Sequence, residues 1–493
     1  MRAPVRVLVG VVLAVVGVGA GLGIAQAPLP SDGDWRDGPA ARGALFERVL
    51  VRLRDAYVDP ALVDWPTWRA RFRPSVEAAT TRAALDAAFV RAFAGLNDGH
   101  SRWVGRLAPL AGPPPAPERP PSAPVVPGAP GEGEPAPPRP PPERAPSDGD
   151  RPADGAPASN ADARPSDPGL EAVPIAGTGW VVLRAHPGGA ADAAGVRRGD
   201  VITAVGDVAL TGAPPPAGPR GVLEAALRDG PVDVRVASPR REVRTVRFVP
   251  TALPDGAERA PLVRLDAATG VARVDLPAFD AGTAAALHPQ LRRAREAGAR
   301  GWIVDLRGNV GGSVLQLGLV LGAWTTGTQV AAWRADAPTW RLEVTRSPAD
   351  GHQRLAATLR RASGPRAGTV RAQATLDAPA TVRGPVAVLT DGATASAAEA
   401  AADALAQAVG ARVVGTRTAG NVETVRRLGM PGGNAAWVAV AELRRPDGTR
   451  FAPVAPDVRA EVDPRALARG FDRPAAEATA WLRGVPTAPG RWF

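Results

Sequence analysis

The stretch VAVLTDGATASAAEAAADAL, residues 386–405, decides the fold that we predict for this 493-residue protein. Its opening residues are apolar or β-branched and predict a buried strand, which the turn at Thr390-Asp391-Gly392 ends. The alanine-rich run behind the turn predicts a helix that starts at Ser396. A strand that leads through a short turn into a helix is the building unit of α/β proteins.

The same alternation of strands and helices runs through residues 260–462. The predicted strands are 271–276, 301–306, 384–390 and 411–416. The predicted helices are 281–298, 313–323 and 396–409. We therefore predict an α/β core domain over residues 258–493, closed by one or two C-terminal helices.

The composition separates this core from a proline-rich segment. Hydrophobic residues make up 45% of the sequence, which allows sizeable cores, but 54 prolines and 55 glycines exceed the usual share. In residues 108–168, proline is mixed with glycine, alanine, serine and charged residues. Such a segment cannot bury enough apolar surface to offset its ordering entropy, so we predict a disordered linker there.

The charged residues argue against several classes of function. The formal net charge is +10, and all 59 basic residues are arginine because the sequence has no lysine. The arginines are scattered among acidic residues, so we expect no nucleic-acid partner. The absence of cysteine excludes disulfides, thiol catalysis and cysteine metal sites. No motif predicts a metal ion or a cofactor.

The N-terminus has the organisation of an export signal. Arg2 and Arg6 precede an uncharged apolar run at 7–24 and the sequence Ala-Gln-Ala at 25–27. The apolar run is also near the length that spans a bilayer. We predict a signal peptide or N-terminal anchor at 1–27. The protein would then be exported, and it would be periplasmic, in the cell envelope or secreted, with membrane association if the segment is retained.

Residues 34–107 are predicted to form a helical region. The segments LFERVLVRLRDAY (45–57) and RAALDAAFVRAFAGL (82–96) place apolar residues at helical spacing. The second segment runs into the glycine-containing turn LNDGHS at 96–101.

His100 is the histidine with the strongest functional signal. It lies in the turn LNDGHS beside Asp98 and Ser101, which could orient its imidazole. The other histidines are more typical of structural or solvated side chains: His186, His288 and His352.

Residues 169–250 combine a strand, a short helix and three further strands. The helix lies in PGGAADAAGV, and RRGDVI follows as a tight turn into the next strand. This order resembles a PDZ domain of the bacterial protease-associated type. PDZ domains bind the C-termini of polypeptides by adding a strand to a sheet edge and holding the carboxylate on backbone amides. The resemblance implies a carboxylate loop at Gly169-Leu170.

Ser396 is a lone hydroxyl among alanines at the start of a predicted helix. Serine is a frequent helix cap, and this structural role is the simpler interpretation. A nucleophile is the alternative, because the amides and dipole of a helix N-terminus stabilise an oxyanion. The small neighbours Ala395 and Ala397 would let a substrate backbone approach.

The segment DLRGNVGGSV at 305–314 ends a predicted strand in a glycine-rich turn. Gly311 and Gly312 could present backbone amides to an anion, although an ordinary strand-to-helix turn explains the same residues. A phosphate-binding loop is disfavoured because no Gly-Lys-Ser/Thr follows.

Together these segments resemble the carboxyl-terminal processing, or tail-specific, serine proteases and their tricorn-like relatives. The motifs occur in the expected order: YVDPALVDW, LNDGHS, the PDZ-like segment, DLRGNVGG, TASAAE, VVGTRTAG and VAPDV. The resemblance implies a crotonase-like (ClpP/crotonase) α/β protease core with an N-terminal helical region and an inserted PDZ domain. It also implies Ser396 as the nucleophile, with an oxyanion hole formed by the amides of Ala397 and of Gly311 or Gly312.

Two positions depart from the family pattern. The lysine base of many members is Asn421 here, and lysine is absent from the whole sequence. The tricorn-like branch uses a histidine from a motif similar to LNDGHS, so the resemblance implies His100 as the general base. The acid of that branch aligns with Arg450. Four alternative groups could orient the imidazole: Asp98, Ser101, Glu423 and Glu442.

The resemblance therefore implies an exported serine endopeptidase that acts on proteins or peptides with exposed C-termini. The alternative is a catalytically inactive protein of the same fold that binds peptide or lipid, which the changes at Asn421 and Arg450 favour. A structural envelope scaffold built around the proline-rich segment is a third interpretation.

Overall fold

The structure is a computed structural model of the protein. It describes residues 35–106 apart from 97 and 99, and residues 168–484 apart from 176, 211–221, 225, 228–229, 240–241, 252–259 and 350. The predicted signal or anchor at 1–27 lies outside the described residues, as does the predicted linker at 108–168 except for Pro168. Within the described part of the protein, no helix is both long and apolar enough to cross a membrane.

The described N-terminal residues include three α-helices and one strand: α1 (Pro39–Ala56), α2 (Trp65–Glu77), α3 (Arg82–Ala94) and β1 (Arg102–Arg106). The Thr81 hydroxyl caps α3 by accepting a hydrogen bond from the Ala84 amide. The helices bury several aromatic rings, among which Phe89 stacks on Trp103 with 4.3 Å between centroids. The prediction of a helical region at 34–107 is confirmed except at its end, where β1 lies.

A second unit, residues 170–248, has these described elements: β2 (Leu170–Ile175), β3 (Gly179–Ala185), α4 (Ala190–Ala193), β4 (Val201–Val205), β5 (Val208–Ala209), β6 (Val232–Ala237) and β7 (Val243–Phe248). The strands pair in the order β2-β3-β4-β6-β7, with β5 on β4. Apolar side chains fill the interior, where Trp180 and Phe248 are fully buried. β2 forms one edge of this sheet.

The remaining elements form the core and its C-terminal helices: β8 (Leu262–Asp266), β9 (Val271–Asp275), α5 (Thr283–Glu296), β10 (Gly301–Asp305), α6 (Val314–Leu321), β11 (Gly327–Arg334), β12 (Ala337–Ala349), β13 (His352–Arg361), β14 (Val370–Asp377), β15 (Val386–Thr390), α7 (Ala397–Val409), β16 (Arg412–Gly415), β17 (Glu423–Met430), β18 (Asn434–Arg444), β19 (Val458–Arg459), α8 (Pro464–Ala468) and α9 (Arg473–Gly484). These strands build two sheets, and they confirm the predicted α/β class.

The first core sheet has the order β19-β16-β15-β10-β9-β8 and is parallel except for β8. All five residues of β10 and of β15 are buried, as expected for strands with helices on both faces. Leu291 of α5 and Leu405 of α7 pack on one face, while Leu482 of α9 packs on the other. Because β10 and β15 are parallel neighbours, the loops at their carboxyl ends lie side by side.

The second core sheet is antiparallel and has the order β1-β18-β11-β12-β13-β14, with β17 also paired to β18. It joins the N-terminal region to the core, because β1 pairs with β18 at Arg102↔Trp437. The predicted strand pattern missed β11 to β14, β17 and β18. In β12, β14 and β17, half-buried sequences mix arginine with apolar and small polar residues, which hides the alternation that marks a strand.

Candidate active site

The loop that holds Ser396 begins at the carboxyl end of β15. Ser396 immediately precedes α7 and has a φ of 57°, a conformation that an L-residue adopts only where its surroundings impose it. Its amide donates to the Asn421 carbonyl at 2.6 Å and to Glu399 Oε2 at 3.2 Å. These two bonds hold the serine backbone in a strained conformation at the start of the helix.

Glu399 anchors this loop to the neighbouring segment 418–421. Its side chain is almost fully buried and accepts from the Thr418 hydroxyl at 2.5 Å and from the Gly420 and Asn421 amides at 2.8 Å each. Burial raises the pKa of Glu399 above its ordinary value, although these donors oppose the shift. Glu399 thus ties the start of α7 to the segment 418–421.

The glycine turn after β10 lies directly against Ser396. Gly311 has a φ of 102°, and a Cβ there would lie 2.8 Å from Ser396 Cβ and 3.0 Å from the Ala397 nitrogen. Only glycine allows this approach. The Gly311 amide, however, donates to Asn309 Oδ1 at 2.8 Å, so the expectation that it could serve the oxyanion hole is corrected. Among the described residues, the amides of Gly312 and Ala397 donate to no acceptor.

Asp391 fastens the two loops to each other. Its carboxylate accepts from the Gly308 amide at 3.0 Å on one side, and from the Ala393 and Thr394 amides at 3.0 and 2.9 Å on the other. Burial raises the pKa of Asp391 to about 6. A second link runs from the Ala395 amide to the Asn309 carbonyl at 3.0 Å. The glycine turn and the serine loop are thus one hydrogen-bonded unit.

His100 lies in the turn before β1 and contacts the first residue of β17. Its Nδ1 is 3.0 Å from Glu423 Oε2, and the two side chains are 17% and 22% exposed. The turn is closed by Asp98, whose Oδ1 accepts from the amides of His100 at 2.9 Å and Ser101 at 2.7 Å. With a carboxylate on Nδ1, the neutral imidazole carries its proton there and leaves Nε2 as the basic atom.

The structure separates the four groups that could orient His100. Among the described residues of the four, Glu423 is the one that contacts the imidazole, whereas Asp98 binds the backbone of the turn. The Ser101 hydroxyl accepts from the Ala439 amide at 3.0 Å, and Glu442 pairs with Arg444 at 3.0 Å. In the described part of the protein, the Ser101 and Glu442 side chains thus bind these partners and not the imidazole.

Short connections link His100 to the loop that holds Ser396. The Asn421 carbonyl binds the Ser396 amide, and Glu423, two residues further along the sequence, contacts the imidazole. Two residues of extended backbone span at most about 7 Å. Among the described residues, no direct hydrogen bond joins the imidazole to the Ser396 hydroxyl. Catalytic hydrogen bonds are often long without substrate and tighten when it binds.

The strand β2 of the second unit borders the same loops. The Ala172 carbonyl lies 3.7 Å from the position of a Cβ on Gly308, and Pro174 lies 3.9 Å from that of Gly392. Gly169, just before β2, has a φ of 65°, and its carbonyl accepts from the His186 amide at 2.8 Å. The Leu170 side chain packs in the interior of its unit.

Sequence reasoning missed two carboxylates that hold the site. Asp391 had a local signal, because an aspartate followed by Gly-x-Thr is typical of a side chain that binds the amides ahead of it. Asp472, which binds Arg307 in the glycine turn, lies 165 residues away and had no local signal.

The protein is similar to known peptidases in sequence and in fold. Residues 270–460 match the model of peptidase family S41. No curated protein shows significant sequence similarity to it. The photosystem II D1 C-terminal processing protease has the same fold, with a TM-score of 0.50 and 20% identity over 92% of this sequence and 99% of that one.

Two more solved structures are similar, with lower scores. The tricorn protease has a TM-score of 0.43 and 15% identity over 90% of this sequence and 37% of its own. Mature CPAF in complex with lactacystin has a TM-score of 0.47 and 12% identity over 89% of this sequence and 98% of its own. The segment 270–460 is thus similar to peptidase family S41, a family of serine-type peptidases.

Proposed function

We propose that the protein is an exported serine endopeptidase of the C-terminal processing type, with Ser396 as nucleophile and His100 as general base. The observation that carries this proposal is the 3.0 Å contact between His100 Nδ1 and Glu423 beside the loop of Ser396. A serine hydroxyl needs a base poised near neutral pH, and the sequence has no lysine to provide one.

The geometry supports a two-step acyl transfer. His100 Nε2 takes the hydroxyl proton while Ser396 Oγ attacks the scissile carbonyl, and Glu423 stabilises the imidazolium. The amides of Gly312 and Ala397 donate to the oxyanion of the tetrahedral intermediate. His100 returns the proton to the leaving amine, and water then hydrolyses the acyl-enzyme by the reverse sequence.

The second unit is proposed to act as a PDZ domain, and the core as a crotonase-like domain. Support comes from the edge position of β2, which allows an added strand from a substrate C-terminus. Gly169 and its backbone lie at the start of that strand, where the carboxylate would bind. Since β2 borders the loops of the site, a peptide on this edge would be delivered towards Ser396.

A binding protein without activity is the second candidate. The observation in its favour is that no hydrogen bond joins the imidazole to the Ser396 hydroxyl among the described residues. Asn421, at the position of the family lysine, also leaves the serine without its more common base. Such a protein would keep the peptide site and lose turnover.

Cleavage of an unfolded protein, casein, by the full-length protein tests the proposal. We expect activity in the wild type and its loss in Ser396→Ala and in His100→Ala. The matched controls are Ser363→Ala and His352→Ala, which remove an exposed hydroxyl and a partly exposed imidazole outside the site. Casein turnover that is equal in all variants would contradict the serine–histidine mechanism. Casein binding without turnover would favour the binding protein.

A further inference from the structure

A buried arginine lies in the glycine turn of the site. Arg307 precedes Gly308, and its side chain is 1% exposed. Its guanidinium binds Asp305 through Nε at 2.9 Å and Nη2 at 2.8 Å. It binds Asp472 equally well, with Nη1 to Oδ1 at 2.9 Å and Nη2 to Oδ2 at 2.8 Å. Two bidentate pairs on one guanidinium fix both its position and its plane.

Asp472 reaches this arginine from the C-terminal end of the fold. It immediately precedes α9, and its carbonyl accepts from the Ala476 amide at 2.9 Å. The helix is seated on the parallel sheet by Ala478 and Leu482, which are buried with residues of β10 and β15. Asp472 is therefore a fixed point, because its own backbone belongs to a packed helix.

Two further arginines donate hydrogen bonds to the Asp472 carboxylate. Arg273 donates to Asp472 at 3.2 Å and to Asp305 at 2.6 Å, and Arg198 of the second unit donates to Asp472 at 3.2 Å. Burial opposes the charge on Asp472, but Arg307 and Arg273 hold the pKa of this carboxyl below its ordinary value. The carboxylate thus stays ionised in the folded protein at neutral pH.

We propose that Asp472 is a positioning residue for catalysis, which holds the glycine turn in register with Ser396 through Arg307. This inference rests on the proposed function. The turn between Arg307 and Gly312 spans only a few residues, so a shift of the guanidinium moves the Gly312 amide. An oxyanion hole depends on donors placed to within a few tenths of an ångström. On this proposal Asp472 acts on the turn through Arg307 and not by contact with the substrate.

The test compares Asp472→Asn with two matched losses of one negative charge. Asp275→Asn removes a buried carboxylate of the same ionic cluster, which contacts Arg184, Arg264 and Arg273 but not Arg307. Glu477→Gln removes an exposed carboxylate from the same helix. We expect Asp472→Asn to lower kcat by about tenfold or more with little change in KM, since one oxyanion donor is worth about 10²-fold to 10³-fold. Both controls should keep kcat within about twofold.

A pair of inhibitors separates positioning from a general loss of structure. A peptide aldehyde forms a hemiacetal with Ser396 whose oxygen occupies the oxyanion hole, whereas the matching peptide alcohol makes no such bond. In Asp472→Asn the inhibition constant of the aldehyde should rise in parallel with the fall in kcat, and that of the alcohol should stay the same. Asp472→Glu, which keeps the charge but moves the carboxylate, should fold and show an intermediate loss.

The outcomes are distinct. Wild-type kcat in both folded Asp472 variants, or an equal loss in Asp275→Asn, would overturn the positioning role and leave the serine mechanism intact. Equal weakening of aldehyde and alcohol would do the same, because it indicates a general distortion. Absence of any Ser396-dependent turnover in the wild type would overturn the proposed function and this inference with it.

Discussion

The two halves of the candidate active site are built in different ways. The serine half consists of two loops, 306–312 and 391–396, at the carboxyl ends of the parallel neighbours β10 and β15. The base half joins a turn near the N-terminus to β17 through one contact between residues 323 positions apart, His100 and Glu423. The first half follows from strand order, whereas the second requires β1 and β17 to pair with β18 between them.

The halves also differ in how firmly their groups are held. Glu399 and Asp391 are buried and accept several backbone hydrogen bonds, so the serine loop and the glycine turn support each other. The His100 and Glu423 side chains remain partly exposed and bind chiefly each other. Catalysis by preorganised donors needs a rigid site, and a base must move a proton between two partners. The rigid half therefore suits the oxyanion, and the looser half suits the base.

Adding a methyl group to the rigid half should have the largest effect on activity. In Gly311→Ala the new Cβ would lie 2.8 Å from Ser396 Cβ, so the turn and the serine must separate. We expect kcat/KM to fall by more than about 10³-fold, because both the nucleophile and the oxyanion donors move. Gly364→Ala is the matched control, since it has a φ of 83° and no atom within 4 Å of the added Cβ. An equal loss in both variants would contradict the tight fit.

The next largest effect should come from the looser half. Glu423→Gln keeps the shape of the side chain but removes the charge that stabilises the imidazolium and selects its tautomer. We expect kcat to fall by about 10²-fold to 10³-fold, less than for a fully buried acid because water reaches this pair.

Glu442→Gln provides the comparison for Glu423→Gln. Glu442 lies directly opposite Glu423 in the β17–β18 pair, but its carboxylate binds Arg444. Activity close to wild type is expected in steady-state assays on the same peptide. A loss as large as that of Glu423→Gln would indicate that the negative charge of the strand pair, rather than the contact with His100, supports the base.

The same comparison explains what the sequence could predict. The serine half could be predicted because strand, turn and helix signals lie within a few residues of Ser396 and Gly311. Glu423 could only be one of four candidates, since no local sequence pattern at His100 or Glu423 indicates that their distant segments meet. The role of Asp472 depends on where α9 packs, which no local pattern encodes. Family resemblance identified His100, and the structure identified the carboxylate on its imidazole.

A buried histidine in the core domain makes the stability of the protein depend on pH. His288 is buried in α5, where Nε2 donates to the Leu319 carbonyl at 2.9 Å and Nδ1 accepts from the Ala380 amide at 2.9 Å. Burial lowers the pKa of His288 from 6.5 to about 4. Between these values the unfolded protein binds more protons, so stability is lost as the pH falls. The shift corresponds to about 3 kcal/mol.

Asp391 acts in the opposite sense. Its pKa rises from 3.8 to about 6, so the folded protein binds the proton more tightly and gains stability as the pH falls through 6. In the wild type the two groups largely cancel between about pH 6 and pH 4. The His288→Gln side chain can keep both hydrogen bonds, and the substitution removes only the group that titrates.

We therefore expect acidification to raise the urea midpoint of His288→Gln relative to that of the wild type. The difference in the free energy of unfolding between about pH 7 and pH 4.5 should change by about 2 to 3 kcal/mol. His352→Gln, which removes a partly exposed histidine paired with Asp377 at 3.3 Å, is the control. Parallel pH curves for His288→Gln and the wild type would show that His288 titrates as freely in the folded protein as in the unfolded one.

The smallest predicted effect concerns the turn that holds His100, residues 96–101. The Ser101 hydroxyl accepts from the buried Ala439 amide, so Ser101→Ala leaves that amide without its partner. We expect a loss of about 1 to 2 kcal/mol in the free energy of unfolding, measured by urea denaturation. Activity should change by less than about threefold, because Asp98 still binds the amides of His100 and Ser101. Ser363→Ala removes an exposed hydroxyl and should change neither quantity.

If activity in Ser101→Ala instead falls as far as in Glu423→Gln, the position of His100 depends on the hydrogen bond between Ser101 and β18. The looser half would then be as tightly coupled to its sheet as Ser396 is to the glycine turn.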